Sequence, residues 1–93
     1  MEIAVSRTGG MAGMTRTWSV RVVDDGDELP DWSALVDACP WDEPAVPTPG
    51  ADRFVYLVRA GDREARLGEA AVDGPWRRLV DRVRDASREN LGG

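Results

Sequence analysis

The side chains that carry most enzyme chemistry are missing from this chain. Its 93 residues include no His, Lys or Gln, and all 12 basic residues are Arg. Without His there is no Ser–His or Cys–His pair to activate a nucleophile and no imidazole ligand for zinc. Without Lys there is no Schiff base, no Ser–Lys dyad and no phosphate-binding P-loop lysine. Gly9, Gly10 and Gly13 are spaced like part of a phosphate loop. The segments on either side both alternate like strands, however, so no helix N-terminus follows to present its N–H groups. Cys39 is the single cysteine. It can form no disulfide within the chain, and as the last member of an apolar helical stripe it is expected to be buried and inert. Carboxylates remain, but the run Asp24, Asp25, Asp27 and Glu28 lacks the alternating ligand pattern of a calcium loop and reads as a solvated connector. Asp42 and Glu43, in a proline-rich stretch, read the same way. No catalytic, cofactor or metal site is expected, and the chain is read as a non-enzyme.

What is left suits binding. Residues 8–14 read TGGMAGM, which places Met11 and Met14 in a stretch with three glycines. Glycine lets a backbone approach another surface closely, and methionine adapts to an imperfect pocket. The candidate contact is therefore Gly9, Gly10, Met11, Ala12, Gly13 and Met14, flanked by Arg7 and Arg16, which could pair with acidic groups on a partner or simply face water. Met11 and Met14 either project from the loop or fold back onto the core. Trp41 follows Pro40 outside any helical register and either caps the core or makes a contact of its own; tryptophan is enriched at binding hot spots.

The elements that would hold these residues can be read from periodicity. Ile3 and Val5 alternate with Glu2, Ala4 and Ser6, and Trp18, Val20 and Val22 alternate with Thr17, Ser19 and Arg21, giving two strands joined by the glycine-rich loop. The loop is expected to protrude over residues 8–14. Pro30 opens a short helix whose Trp32, Leu35, Val36 and Cys39 fall at i, i+3, i+4 and i+7, and Pro40 ends it. Residues 40–52 form a proline-rich linker. Phe54, Tyr56 and Val58 share one face of a third strand while Val55 and Leu57 share the other, as in an interior strand. A weaker strand returns over residues 63–67, read as an edge strand. Gly74 and Pro75 precede a second amphipathic helix on Trp76, Leu79, Val80 and Val83, its outer face laced by Asp81–Arg84 and Asp85–Arg88 pairs. Residues 90–93 are expected to fray. The order β-β-α-β-β-α describes a single α+β domain over residues 1–93: a two-layer sandwich with about four antiparallel strands and two helices on one face.

Composition sets the remaining bounds. Apolar residues make up 42% of the chain, enough for one modest core built on Trp18, Trp32, Trp41 and Trp76 with Phe54 and Tyr56. The net charge of −5 argues against nucleic-acid binding and suits solubility or a basic partner. No apolar run approaches a membrane span, and the first residues lack the pattern of a secretory leader. A cytoplasmic protein, monomeric when free, is expected.

The stretch IAVSRTGGMAGMTRTW (residues 3–18) resembles the start of the emfourins: a short strand, an S-R-x-G-G-hydrophobic-A-G-hydrophobic loop, then a strand carrying a Trp. The likeness continues through a proline-rich linker, a D-R-F-x-Y strand at residues 52–56 and a P-x-R-x-L-V-D-R-like helix at residues 75–82. Met11 departs from the Phe expected there in many members. The resemblance implies a cytoplasmic inhibitor of thermolysin-like zinc metalloproteases, which prefer bulky apolar side chains just after the scissile bond. On that reading the glycine-rich loop enters the substrate cleft with Met11 as its anchor. Two other readings are carried beside it: an adaptor or antitoxin-like module for a different protein, and a small enzyme working with carboxylates alone.

Overall fold

The computed structural model describes residues 1–10, 13–43 and 53–91. Strands β1 (Glu2–Gly9) and β2 (Met14–Arg21) precede helix α1 (Leu29–Asp37); β3 (Phe54–Ala60), β4 (Arg63–Gly68), a 3-10 turn at Glu69–Ala71 and helix α2 (Gly74–Leu91) follow. The four strands form one antiparallel sheet in the order β2-β1-β3-β4. The two-layer α+β arrangement expected from the sequence is the one observed, with β3 interior and β4 at an edge.

The core lies between the sheet and the two helices. Register places Ile3 beside Val20 and Ala60, and Val5 beside Trp18 and Val58. Ile3, Val5, Val58 and Leu67 are fully buried on this face. From above, α1 and the residues that close it contribute Trp32, Val36 and Cys39, and α2 contributes Trp76, Leu79, Val80, Val83 and Ala86, all buried. Both stripes follow the 3.6-residue period. The other sheet face is open to water, as antiparallel sheets allow. Its cross-strand neighbours satisfy one another: Ser6 with Thr17 at 3.2 Å, Thr8 with Thr15 at 2.9 Å, and Arg59 with Glu64 at 3.4 Å.

Two details differ from the sequence-based expectations. The first concerns the hairpin: pairing persists through Thr8–Thr15 and Gly9–Met14, so both ends of the loop expected over residues 8–14 belong to the strands. Glycine content suggests a loop from residue 8, but β-branched Thr8 and Thr15 pair well across strands and carry the ladder further. The second is on α2, where Asp81 pairs with Arg77 at 3.4 Å, while Arg84 lies 5.0 Å from the Trp18 ring centroid. An arginine over a half-buried indole gains a cation–π contact that a solvated i,i+3 pair does not offer. Helix α2 runs through Leu91. The proline-rich linker falls largely on residues 44–52, outside the described residues.

The C-terminal end of α1 is closed by neighbours. Trp41 donates its indole N–H at 2.7 Å to the carbonyl of Val36, which also accepts the Cys39 N–H at 3.2 Å, so a last-turn acceptor is doubly engaged. The Cys39 thiol donates to the Leu35 carbonyl at 3.4 Å. Burial pushes this thiol up to about 11, so it stays protonated at neutral pH. Alkylation by iodoacetamide at pH 8 is expected to be slow until urea unfolds the chain. An unfolded cysteine ionises at about 8.5. Below that pH the folded and unfolded chains hold the thiol proton equally, and Cys39 contributes its full stabilisation. As pH rises towards about 11 the unfolded chain releases a proton the native one retains, and stability falls. Urea midpoints measured at pH 8 and pH 10.5 check this: the decline is expected to be smaller in Cys39→Ala.

Candidate functional site

The turn between β1 and β2 is held from two sides. β1 is a central strand, so Gly9 lies between Met14 of β2 and Phe54 of β3, and all three strands end at the same level. Gly9 has φ +142°, and a Cβ built there would fall 2.2 Å from the carbonyl oxygen of Arg53. Only glycine permits both the backbone angle and the approach. Beyond it, the Gly10 N–H donates to that same Arg53 carbonyl at 3.4 Å, and the Gly13 N–H donates to the Gly10 carbonyl at 3.2 Å. Arg53 is fixed in turn by its own N–H, which donates to Glu69 at 2.9 Å. The turn is thus closed on itself and tied to the neighbouring strand.

Arg7 supports the same end of the sheet. Its guanidinium carbon is 4.9 Å from the Phe54 ring centroid and 5.5 Å from that of Trp18. Each such contact contributes on the order of 0.5–1 kcal/mol near a surface. Arg16 is directly opposite Arg7 in the ladder and is exposed. Met14 opens β2 with 70% of its surface exposed; it and Val23, beyond the other end of β2, are the large apolar side chains left in water among the described residues.

The structure therefore brings together Arg7, Gly9, Gly10, Gly13, Met14 and Arg16. Met11 and Ala12 lie outside the described residues. Trp41 does not join them: it is half-buried against Trp76 in an edge-on contact, with centroids 4.9 Å apart and planes at 77°. Its ring and indole N–H are engaged with the helical layer rather than the hairpin. The supporting roles of Phe54 and of the Arg53 carbonyl are not visible in the sequence, because they depend on which strand lies beside β1. The D-R-F pattern marks their positions without saying what they touch.

The acidic connector makes no comparable arrangement. Asp24 accepts from the Met1 amino group at 2.7 Å, which holds its carboxyl below the usual carboxylate range. Among the described residues no three His, Cys, Asp or Glu side chains gather as metal ligands, and no helix is long and apolar enough to cross a membrane.

The Emfourin family model matches residues 5–84, from the middle of β1 well into α2. The chain belongs to the emfourin family. The match takes in both strands of the hairpin, the turn, the linker and the return hairpin. No match is found among curated proteins or among solved structures. Emfourin membership points to a protease-inhibitor-like role, which accords with a chain that has few of the side chains that catalysis uses.

Proposed function

We propose that this emfourin-family chain inhibits a thermolysin-like zinc metalloprotease by seating its glycine-rich hairpin loop, with Met11 and Met14, in the substrate cleft, acting in the cytoplasm as a monomer. The observation that carries this reading is the three-strand anchorage of the turn. Gly9 is locked against Arg53, and the Gly10 and Gly13 amides are already engaged, so both ends of the turn are held before it meets a target. Holding the ends removes part of the entropy a free loop loses on binding. Met14 supplies an exposed, adaptable apolar side chain next to that tip, and Met11 is its counterpart within the loop. A protease that favours bulky apolar residues beside the scissile bond presents a pocket of matching chemistry. The glycines leave room for the cleft walls.

Titrating thermolysin with the purified chain tests the proposal: activity is expected to fall stoichiometrically to near zero. Met11→Asp and Met14→Asp are each expected to weaken inhibition at least about thirtyfold, the cost of losing a hot-spot side chain. Folding is checked by circular dichroism. Unchanged potency in both folded variants would remove the turn from the contact. A protease left fully active by the parent chain would return the protein to the adaptor reading.

A further inference from the structure

The hairpin end of the sheet has two faces of different chemistry, and they are not equally suited to a partner. On the open face the hydroxyls of Ser6, Thr8, Thr15 and Thr17 pair with each other. On the helix-side face the ladder places Arg7 and Arg16 directly opposite one another, with Tyr56 on the other side of Arg7. Like charges so placed repel. Arg84 reaches the same spot from α2, 5.0 Å from the Trp18 ring centroid that Arg7 approaches at 5.5 Å.

Two guanidiniums thus meet at the Trp18 ring, with Arg16 across the ladder from one of them, in a chain whose net charge is −5. None of the three is in an ion pair among the described residues, whereas Arg59, Arg63 and Arg77 each have a carboxylate partner. The acidic run Asp24, Asp25, Asp27 and Glu28 follows the far end of β2, at the opposite end of the sheet from the turn. The acidic run and the unpaired arginines of the patch thus lie at opposite ends of the sheet.

We propose that this helix-side patch, formed by Arg7, Arg16 and Arg84 with Trp18, Phe54 and Met14, is the face that grips the partner, and that it docks on a protein surface carrying carboxylates beside the pocket the turn enters. The inference rests on the inhibitory reading above and assigns the partner's charge and the face it meets. A carboxylate placed between Arg7 and Arg16 relieves their repulsion and accepts forked hydrogen bonds from either guanidinium. The aromatic rings hold Arg7 in a fixed position, so little side-chain freedom is lost on docking. Arginine and tryptophan at the centre of such a patch match the composition of binding hot spots. Placing the acidic run away from the patch favours approach of the arginine end to an acidic target and speeds encounter. A long polyanion is disfavoured by the acidic remainder of the chain; a discrete carboxylate cluster is not.

The test compares Arg16→Gln and Arg84→Gln with Arg66→Gln, in the intact chain against thermolysin. Arg66 is exposed in β4 opposite Leu57, on the open face, so all three variants remove one positive charge and only two remove it from the patch. Inhibition constants and association rates are measured at low and high ionic strength, and thermal melts confirm that each variant is folded. Arg16→Gln and Arg84→Gln are each expected to weaken inhibition about tenfold at low salt and to flatten its salt dependence, with Arg66→Gln close to the parent. Equal effects from all three variants would mean that net charge alone matters and would overturn the assignment of the face. So would parent-like potency in the two patch variants. If the parent chain itself fails to inhibit, the inhibitory reading falls first and this inference falls with it; if only the variants behave unexpectedly, inhibition stands and the face is wrong.

Discussion

Gly9→Ala is expected to lower the melting temperature by roughly 10–20 °C, given about 2–3 kcal/mol of lost stability in a domain of this size. Inhibition should be lost along with it. Two effects add at this position. The backbone angle, φ +142°, lies where residues with a Cβ are rarely found, and the new methyl would fall 2.2 Å from the Arg53 carbonyl oxygen. That oxygen belongs to the main chain just before β3, and it also accepts the Gly10 N–H at 3.4 Å. It cannot retreat without opening the bond that ties the turn to the sheet. Gly61→Ala separates the two effects. Gly61 has φ +62°, and a Cβ added there would meet no atom within 4 Å, so its replacement should carry only the backbone cost, about 1–2 kcal/mol. A melting curve for each variant checks the stability difference. Potency measured well below both transitions checks the functional one: Gly61→Ala should inhibit like the parent, because its turn joins β3 to β4 at the other end of the sheet. Comparable melting temperatures for the two variants would show that the Arg53 contact is unimportant.

Periodicity reveals most of the fold because each element buries one face. Ile3, Val5, Val20 and Val58 alternate with less buried neighbours, and Trp76, Leu79, Val80 and Val83 recur at helical spacing; all are buried where the patterns require. Val55 and Leu57, apolar on the second face of β3, announce an interior strand, and β3 lies between β1 and β4. Strand order is not legible, since alternation says which face a residue occupies and not which strand lies beside it. That gap hides the basis of the candidate site. Arg7 looks like a solvated flank of a loop until β3 is placed next to β1, which brings Phe54 to 4.9 Å from its guanidinium. The pairing of charges on α2 is obscured for a related reason. Asp81 can meet Arg77 or Arg84 by spacing alone, and the choice is settled by Trp18 on the sheet below, which draws Arg84 away. The turn is shorter than its composition suggests because glycine is read as a loop former, whereas Gly9 stays in the strand and uses its freedom for a close approach.

Trp76→Ala should be among the most damaging changes in the helical layer, costing about 3–5 kcal/mol. Domains of this kind hold only about 5–15 kcal/mol in all, so the urea midpoint should fall by a large fraction of its parent value. Trp76 is 4% exposed, and its ring meets that of Trp41 in a T-shaped contact. Removing it leaves a cavity and also strips Trp41 of its neighbour, although the 2.7 Å bond from Trp41 to the Val36 carbonyl can persist. The same variant discriminates between the two readings of Trp41. If Trp41 is a cap on the core, inhibition by the molecules that remain folded should match the parent, because the turn is positioned by β1, β2 and β3 rather than by either tryptophan. If Trp41 is a partner contact, its displacement should weaken inhibition beyond what the lost folded fraction explains. The packing against Trp76 and the bond to Val36 favour the first outcome, since a ring already engaged by Trp76 and at its N–H has little left to offer a partner.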